Sequence, residues 1–222
     1  YKNFEIKRGY KENDRLGGID PYSASKASAE LALQSYVKSF FSKNNKVRIG
    51  IARAGNVIGG GDWSNNRLIP DCVKFCSKNK KVKIRNPNST RPWQHVLEAL
   101  YGYLTLAIFL KKKKYLHGES FNFGPNSSVE RKVITVIKEM KTNWSDIKYI
   151  IGKNKKNFES KLLKLNSLKS KKILKWKCVL SFQDTIELTT VWYKNYYENK
   201  INNYLFSKNQ VMEYEQKIKT KK

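Results

Sequence analysis

Apolar residues recur at helical spacing through positions 96–112. The stretch follows a turn at Arg91-Pro92 and runs out at Lys111-Lys112-Lys113-Lys114, which predicts an amphipathic helix. Residues 48–53 (Arg-Ile-Gly-Ile-Ala-Arg) alternate as a buried parallel strand does. Further helices are predicted over 70–78, 129–140, 167–174 and 182–197, and strands over 82–84 and 119–123, the latter closed by Gly124-Pro125. Positions 146–158 read as a short strand and a basic linker, and 200–222 lacks apolar periodicity and reads as a frayed, Lys-rich tail. Near the start, Pro21 suits a first helical turn, and Ala24, Ala27, Ala29, Leu31, Ala32 and Leu33 favour its continuation. Helices and strands alternate, the mark of an α/β chain with parallel strands.

Composition narrows the class. The 222 residues are 40% hydrophobic and 13% aromatic, enough for the core of a domain or a domain and a half. No apolar run reaches bilayer-spanning length, so no membrane partner is expected. The formal charge of +27 raises the question of nucleic acid. Of the 45 basic residues only 8 are Arg, the side chain whose fork grips bases and phosphates, and the 37 Lys are scattered. The charge therefore reads as solvated surface with a secondary pull on an anionic ligand, and no nucleic-acid partner is expected. Cys72, Cys76 and Cys178 with His95 and His117 lack metal-site spacing, and free thiols without a secretory signal point to a reducing cytoplasm.

The chemistry is concentrated in Tyr22-Ser23-Ala24-Ser25-Lys26, directly after Asp20-Pro21. Positions i and i+4 share a helix face, so Lys26 lies beside the ring of Tyr22. A cation next to a phenol favours the phenolate, which suits a general acid/base. The spacing alone also fits an ordinary amphipathic helix.

Two other segments accompany it: Arg53-Ala54-Gly55-Asn56-Val57-Ile58-Gly59-Gly60-Gly61-Asp62-Trp63 and Arg91-Pro92-Trp93-Gln94-His95-Val96. With the Tyr-x-x-x-Lys pair, and with the later Thr190-Val191-Trp192-Tyr193, these resemble the extended, sugar-nucleotide branch of the short-chain dehydrogenase/reductase superfamily. The wording is most similar to the 4,6-dehydratases that act on CDP-glucose, over about residues 1–197. The resemblance implies the C-terminal part of a Rossmann-like doubly wound parallel sheet plus a smaller α/β substrate-binding lobe. Residues 1–60 would carry the catalytic-helix portion of an incomplete Rossmann domain, 61–200 mainly the substrate lobe with segments returning to the sheet, and 201–222 the basic tail. The strand, G-x-G-x-x-G turn and helix that open such folds do not occur in this sequence. A leading part of about 120–130 residues, the nucleotide-binding half, is thus expected to precede Tyr1, together with the family's elimination acid and base.

The implied cofactor is NAD, the implied ligand CDP-glucose or a related nucleotide-sugar, and the implied assembly a homodimer paired through the Tyr22 helix. The implied setting is cytoplasmic synthesis of cell-surface polysaccharide such as lipopolysaccharide O-antigen. Tyr22 and Lys26 would be catalytic and would also touch the cofactor, as would Gly55 at the strand end. Asn56, Arg67, Arg91 and Asn122 would contact the substrate. Simpler roles stand beside these: a surface cation for Arg67, a turn for Asn56 or Asn122, and for Trp93 either core or pocket wall. Lys175 and Cys178 stand where the family usually has Gly and Pro. A nucleotide-sugar 4-epimerase and a non-catalytic basic binding module are the competing readings.

Overall fold

The computed structural model describes residues 1–41, 46–125, 131–152 and 162–221. The chain opens with an irregular segment and then α1 (Pro21–Tyr36), extended by a π-helical turn at Val37–Phe41. After it come β1 (Ile51–Ala54), β2 (Asn56–Ile58), α2 (Leu68–Cys76), β3 (Lys81–Ile84) and β4 (Trp93–His95). The remainder comprises α3 (Val96–Lys112), β5 (Ser120–Phe123), α4 (Val133–Asn143), β6 (Lys148–Ile151), α5 (Leu168–Leu174), α6 (Phe182–Glu198) and α7 (Asn203–Thr220). Every strand pairs in parallel: β1 with β5, β2 with β4 and β3 with β6. Each partner is reached through a crossover that contains a helix, as parallel pairing requires.

Two apolar clusters hold these layers. One gathers Leu106 and Leu110 of α3 with Phe121 and Phe123 of β5 and Leu174 and Trp176 around α5. Phe123 meets Trp176 edge-on at 5.1 Å. The other joins α2, β3, β4, α4 and α6 through residues such as Val73, Ile84, Trp93, Ile137 and Ile186. Trp93 therefore packs as core, its indole Nε1 donating to Arg131 O at 3.2 Å. Between the clusters runs Glu98, 1% exposed, whose Oε1 accepts from Val179 N (2.7 Å) and Leu180 N (2.6 Å) while Oε2 accepts from the Tyr214 hydroxyl (3.0 Å). Burial pushes this carboxyl above the usual range, and the three donors oppose the rise.

The expected frayed tail is corrected: residues 203–220 form α7, an 18-residue helix. Its N-cap Asn202 accepts from Tyr204 N and Leu205 N. Its buried positions are Gln210 and Tyr214, and they dock by hydrogen bonds to Leu188 O and Glu98 rather than by an apolar stripe. Lys217 adds an ion pair to Asp184 at 2.9 Å. The strands β2 and β4, three residues each, were also not predicted. Uncovered apolar surface lies chiefly on helices: Leu31 and Tyr36 on α1, Phe40 after it, and Leu100, Leu104 and Ile108 on α3 are all exposed. Within α1, Ala27 turns inward, 7% exposed.

Lys175 caps α5 in the left-handed conformation (φ 56°, ψ 18°). A Cβ is strained there and glycine is not. Lys175→Gly should therefore stabilise the fold by about 0.5–1 kcal/mol once the larger unfolded-state entropy of glycine is subtracted. A urea midpoint unchanged or lowered in this variant would show that the lysine side chain contributes more than its backbone costs.

Candidate active site

α1 begins with a complete capping box. Asp20 accepts from Ser23 N at 3.0 Å, and the Ser23 hydroxyl reaches back to the N-cap residue. The cap satisfies backbone donors that a helix start leaves open, and it fixes the first turn, on which Tyr22 stands. The Lys26 ammonium lies 5.7 Å from the centroid of the Tyr22 ring, one turn along the same face as the spacing predicts. Tyr22 is 69% exposed, and its hydroxyl makes no hydrogen bond to a described residue. A phenol and an ammonium thus stand side by side and open to a ligand.

What seats this helix is an ion pair absent from the sequence reading. Arg53, on β1, donates from Nε to Glu30 Oε2 at 2.8 Å and from Nη2 to Oε1, a bidentate fork with both side chains about nine-tenths buried. The Ser120 hydroxyl on β5 donates to Glu30 at 2.9 Å. Arg53 Nη1 reaches Glu12 O (2.9 Å) and the Tyr1 hydroxyl, while its guanidinium lies 4.7 Å from the Tyr1 ring centroid. Burial alone would raise the Glu30 carboxyl, but the Arg53 charge and hydrogen bonds hold it below the usual range. The signal was present in the sequence: a charged residue inside a buried strand needs a partner, and Glu30 is the acidic residue of the Ala-rich helix.

β1 ends at Ala54, and Gly55 passes so close to the next segment that an added Cβ would lie 2.5 Å from Pro92 O. That approach lets Asn56 N donate to Pro92 O at 2.9 Å and starts the β2–β4 pairing, with Asn56 opposite Trp93. The Gly55-Asn56 pair and the distant Arg91-Pro92 turn are therefore brought together at the carboxyl end of β1, where ligands of doubly wound sheets sit. Arg91 is half-buried and donates to Thr90 O at 3.0 Å. Arg67 precedes α2, its side chain 59% exposed and paired with Asp62 at 3.1 Å.

Asn122 differs. It is fully buried opposite Arg53 in the β1–β5 register. Its Nδ2 donates to Tyr10 O (2.9 Å) and Asn166 O (3.1 Å), and its Oδ1 accepts from the Tyr1 hydroxyl (2.6 Å). In this structure both polar groups of the side chain are engaged within the chain and tie three segments together. Gln94 and His95 are likewise buried: the Gln94 amide, oriented by its network, bridges Phe123 O and Ala99 N, and His95 Nδ1 accepts from Leu97 N. Burial depresses the His95 pKa to about 4, so the ring is neutral near pH 7. No helix among the described residues is long and apolar enough to cross a membrane.

Removing Glu30 strands a buried guanidinium. Glu30→Ala should cost about 3 kcal/mol of stability at neutral pH. The folded carboxyl titrates below its unfolded value of about 4.3, so the contribution is present above that pH and disappears as pH falls through the folded value. Denaturant melts of the two proteins should converge toward acid pH. A loss below 1 kcal/mol at neutral pH would mean that the helix is seated by apolar packing instead.

The profile of the NAD dependent epimerase/dehydratase family matches residues 4–124. The chain is 40% identical over 199 residues to CDP-glucose 4,6-dehydratase of Salmonella typhimurium, covering 87% of this chain and 55% of that protein. Among solved structures it is similar to Epimerase Mth375 of Methanothermobacter thermautotrophicus (TM-score 0.76, 19% identity, 93% of this chain and 58% of that one). It is also similar to dTDP-glucose 4,6-dehydratase of Bacillus anthracis in complex with NAD (TM-score 0.66, 24% identity, 84% and 56%). The chain spans about half the length of the curated relatives it matches. A Tyr–Lys pair on a capped helix, parallel strands ending in a Gly-Asn turn, and a family profile covering more than half of the sequence agree: this chain belongs to the NAD dependent epimerase/dehydratase family, the extended short-chain dehydrogenase/reductases.

Proposed function

We propose that the protein carrying this chain is a nucleotide-sugar 4,6-dehydratase that takes CDP-glucose to CDP-4-dehydro-6-deoxyglucose in cell-surface polysaccharide synthesis. The observation that carries this reading is the open Tyr22–Lys26 pair on its capped helix, set in a sequence 40% identical to a CDP-glucose 4,6-dehydratase. The residues present fit the nicotinamide end of NAD. Tyr22 and Lys26 offer an exposed phenol and ammonium one helical turn apart, and Gly55 stands at the end of β1, packed against Pro92. When bound, NAD supplies a hydride acceptor and donor. Tyr22 Oη would accept the proton of the sugar 4-hydroxyl as C4 is oxidised, and would pass it to solvent, since the product keeps the C4 ketone. Lys26 supports that proton transfer and hydrogen-bonds the nicotinamide ribose. The C4 ketone acidifies the C5 proton, which makes loss of water across C5 and C6 feasible, and no described residue is assigned to that elimination.

Arg67, Arg91 and Asn56 form a wall for the diphosphate, since forked cations suit phosphate oxygens and an Asn side chain both donates and accepts. Residues 1–60 and 61–200 are assigned to the Rossmann portion and the substrate lobe. Exposed Leu31, Tyr36, Leu100, Leu104 and Ile108 would bury themselves in a homodimer.

In the complete gene product, Tyr22→Phe keeps the ring and removes the acid/base, so turnover of CDP-glucose should fall about 100–10,000-fold with KM far less changed. Unchanged turnover would take Tyr22 out of the mechanism, and conversion of CDP-glucose to a 4-epimer without loss of water would establish the epimerase reading instead. The pyrophosphate-binding turn that gives this fold most of its cofactor affinity is not encoded in these 222 residues. Calorimetry on the isolated chain should therefore detect no NAD binding, and binding in the micromolar range would refute that account.

A further inference from the structure

The turn that carries Arg67 is gripped from α6 in a way that pocket chemistry alone does not require. The Tyr193 hydroxyl accepts from Asp62 N at 3.0 Å and donates to Asp62 O at 2.7 Å, closing both backbone groups of one residue on one phenol. Tyr193 is fully buried, and burial pushes its phenol well above the usual range, so it stays a neutral donor. Next to it, the Trp192 ring packs so tightly on Gly60 that an added Cβ would lie 2.0 Å from Cδ2. Trp192 is itself held through Nε1 by the Ser207 hydroxyl of α7 at 2.8 Å. Trp63, one residue beyond Asp62, meets Tyr193 edge-on at 5.3 Å and Tyr196 at 4.8 Å.

Asp62 then passes this fixity on. Its Oδ1 accepts from Ser64 N at 2.9 Å and its Oδ2 from Arg67 Nη1 at 3.1 Å. Burial acts against the charged form, but the Ser64 hydrogen bonds and Arg67 hold this carboxyl below the usual range. Arg67, otherwise a long and exposed side chain with much rotamer freedom to lose, is thereby aimed before any ligand arrives.

We infer that Tyr193 is a positioning residue: through the Asp62 backbone and carboxylate it pre-orients Arg67 for the nucleotide-sugar diphosphate. This rests on the substrate reading proposed above and adds to it the device that sets the cation in place. Pre-orientation raises affinity by removing an ordering cost, so its loss shows in binding and KM rather than in the chemical step.

The test is a double-mutant cycle on the complete gene product, with CDP as the calorimetric probe and CDP-glucose as substrate. Tyr193→Phe preserves the buried ring and deletes the hydroxyl. Its expected effect is a weakening of CDP binding by about 5–10-fold, the size of one or two net hydrogen bonds, with KM raised to match and kcat within about twofold. In an Arg67→Ala background the same change should weaken CDP no further. Gly60→Ala, which drives a methyl into the Trp192 ring of α6 and displaces the turn while leaving Tyr193 itself intact, should behave alike and stands in if Tyr193→Phe melts near assay temperature. CDP affinity unchanged in the folded variants, or losses that add fully to that of Arg67→Ala, would overturn the positioning role while the substrate reading stands. Failure of the unmutated protein to bind CDP or turn over CDP-glucose would remove the substrate reading and this role together.

Discussion

The fork between Arg53 and Glu30 is the constraint on which the rest depends. A cation at the third position of a buried parallel strand cannot be left unpaired at any tolerable cost, and here the partner comes from the middle of α1. Apolar packing could hold that helix against the sheet, but with little preference for where along its axis it sits. Only Ala27 within α1 is buried, so packing has little to grip. The bidentate geometry, with Ser120 and Tyr1 closing the remaining valences, fixes both rotation and axial position. Lys26 and Tyr22 lie about one and two turns before Glu30 on the same helix, and their placement relative to the end of β1 follows from this one contact.

The sequence was most legible where burial follows a period. α3 lies at its predicted limits, β3 and α6 within a residue of them, and Pro21 marked the start of α1. It was least legible where polar groups carry the structure. α7 docks through Gln210, Tyr214 and Ser207, residues that score as surface in any hydrophobic pattern. β2 and β4 are too short to show alternation, and they form because Gly55 allows the chain to reach Pro92. Asn122, singled out from a motif, has its amide engaged between Tyr10, Asn166 and Tyr1, contacts that no local pattern shows. Gly55, Asn56 and Arg91 were identified from motifs, and the structure brings them together. The supporting role of Glu30, and of Asp62 and Tyr193 within their motif segments, was not legible, because the Glu30–Arg53 and Asp62–Tyr193 contacts span 23 and 131 residues.

The lysine excess leaves this framework untouched for a physical reason. Lysine tolerates exposed helix and strand positions at little cost, and the buried charges, Arg53, Glu30 and Glu98, are each satisfied by named partners. Among the described residues no lysine is buried. Lys175 marks the limit of that tolerance, since it falls on a left-handed cap and the backbone bears the strain.

Proton transfer and anion recognition depend on different supports. Tyr22 is set by α1, bolted to β1 and β5 by an ion pair, while Arg67 is set by a turn clamped from α6 and α7 by neutral hydrogen bonds and aromatic packing. The two responses to conditions differ accordingly. Acid weakens the first through Glu30 and the second at the Asp62–Arg67 pair, whereas the Tyr193 phenol–backbone contacts contain no group titrating below neutrality. Both supports meet at the short stretch from Arg53 to Asp62, with Gly55 the point at which the chain turns from one to the other. In the proposed reaction the sugar ring holds the reacting hydroxyl at a restricted distance from the diphosphate, so these two parts would need to be in register. The eight residues 54–61 between the two anchored ends would supply that register more rigidly than a long loop, because little backbone freedom remains between the anchors.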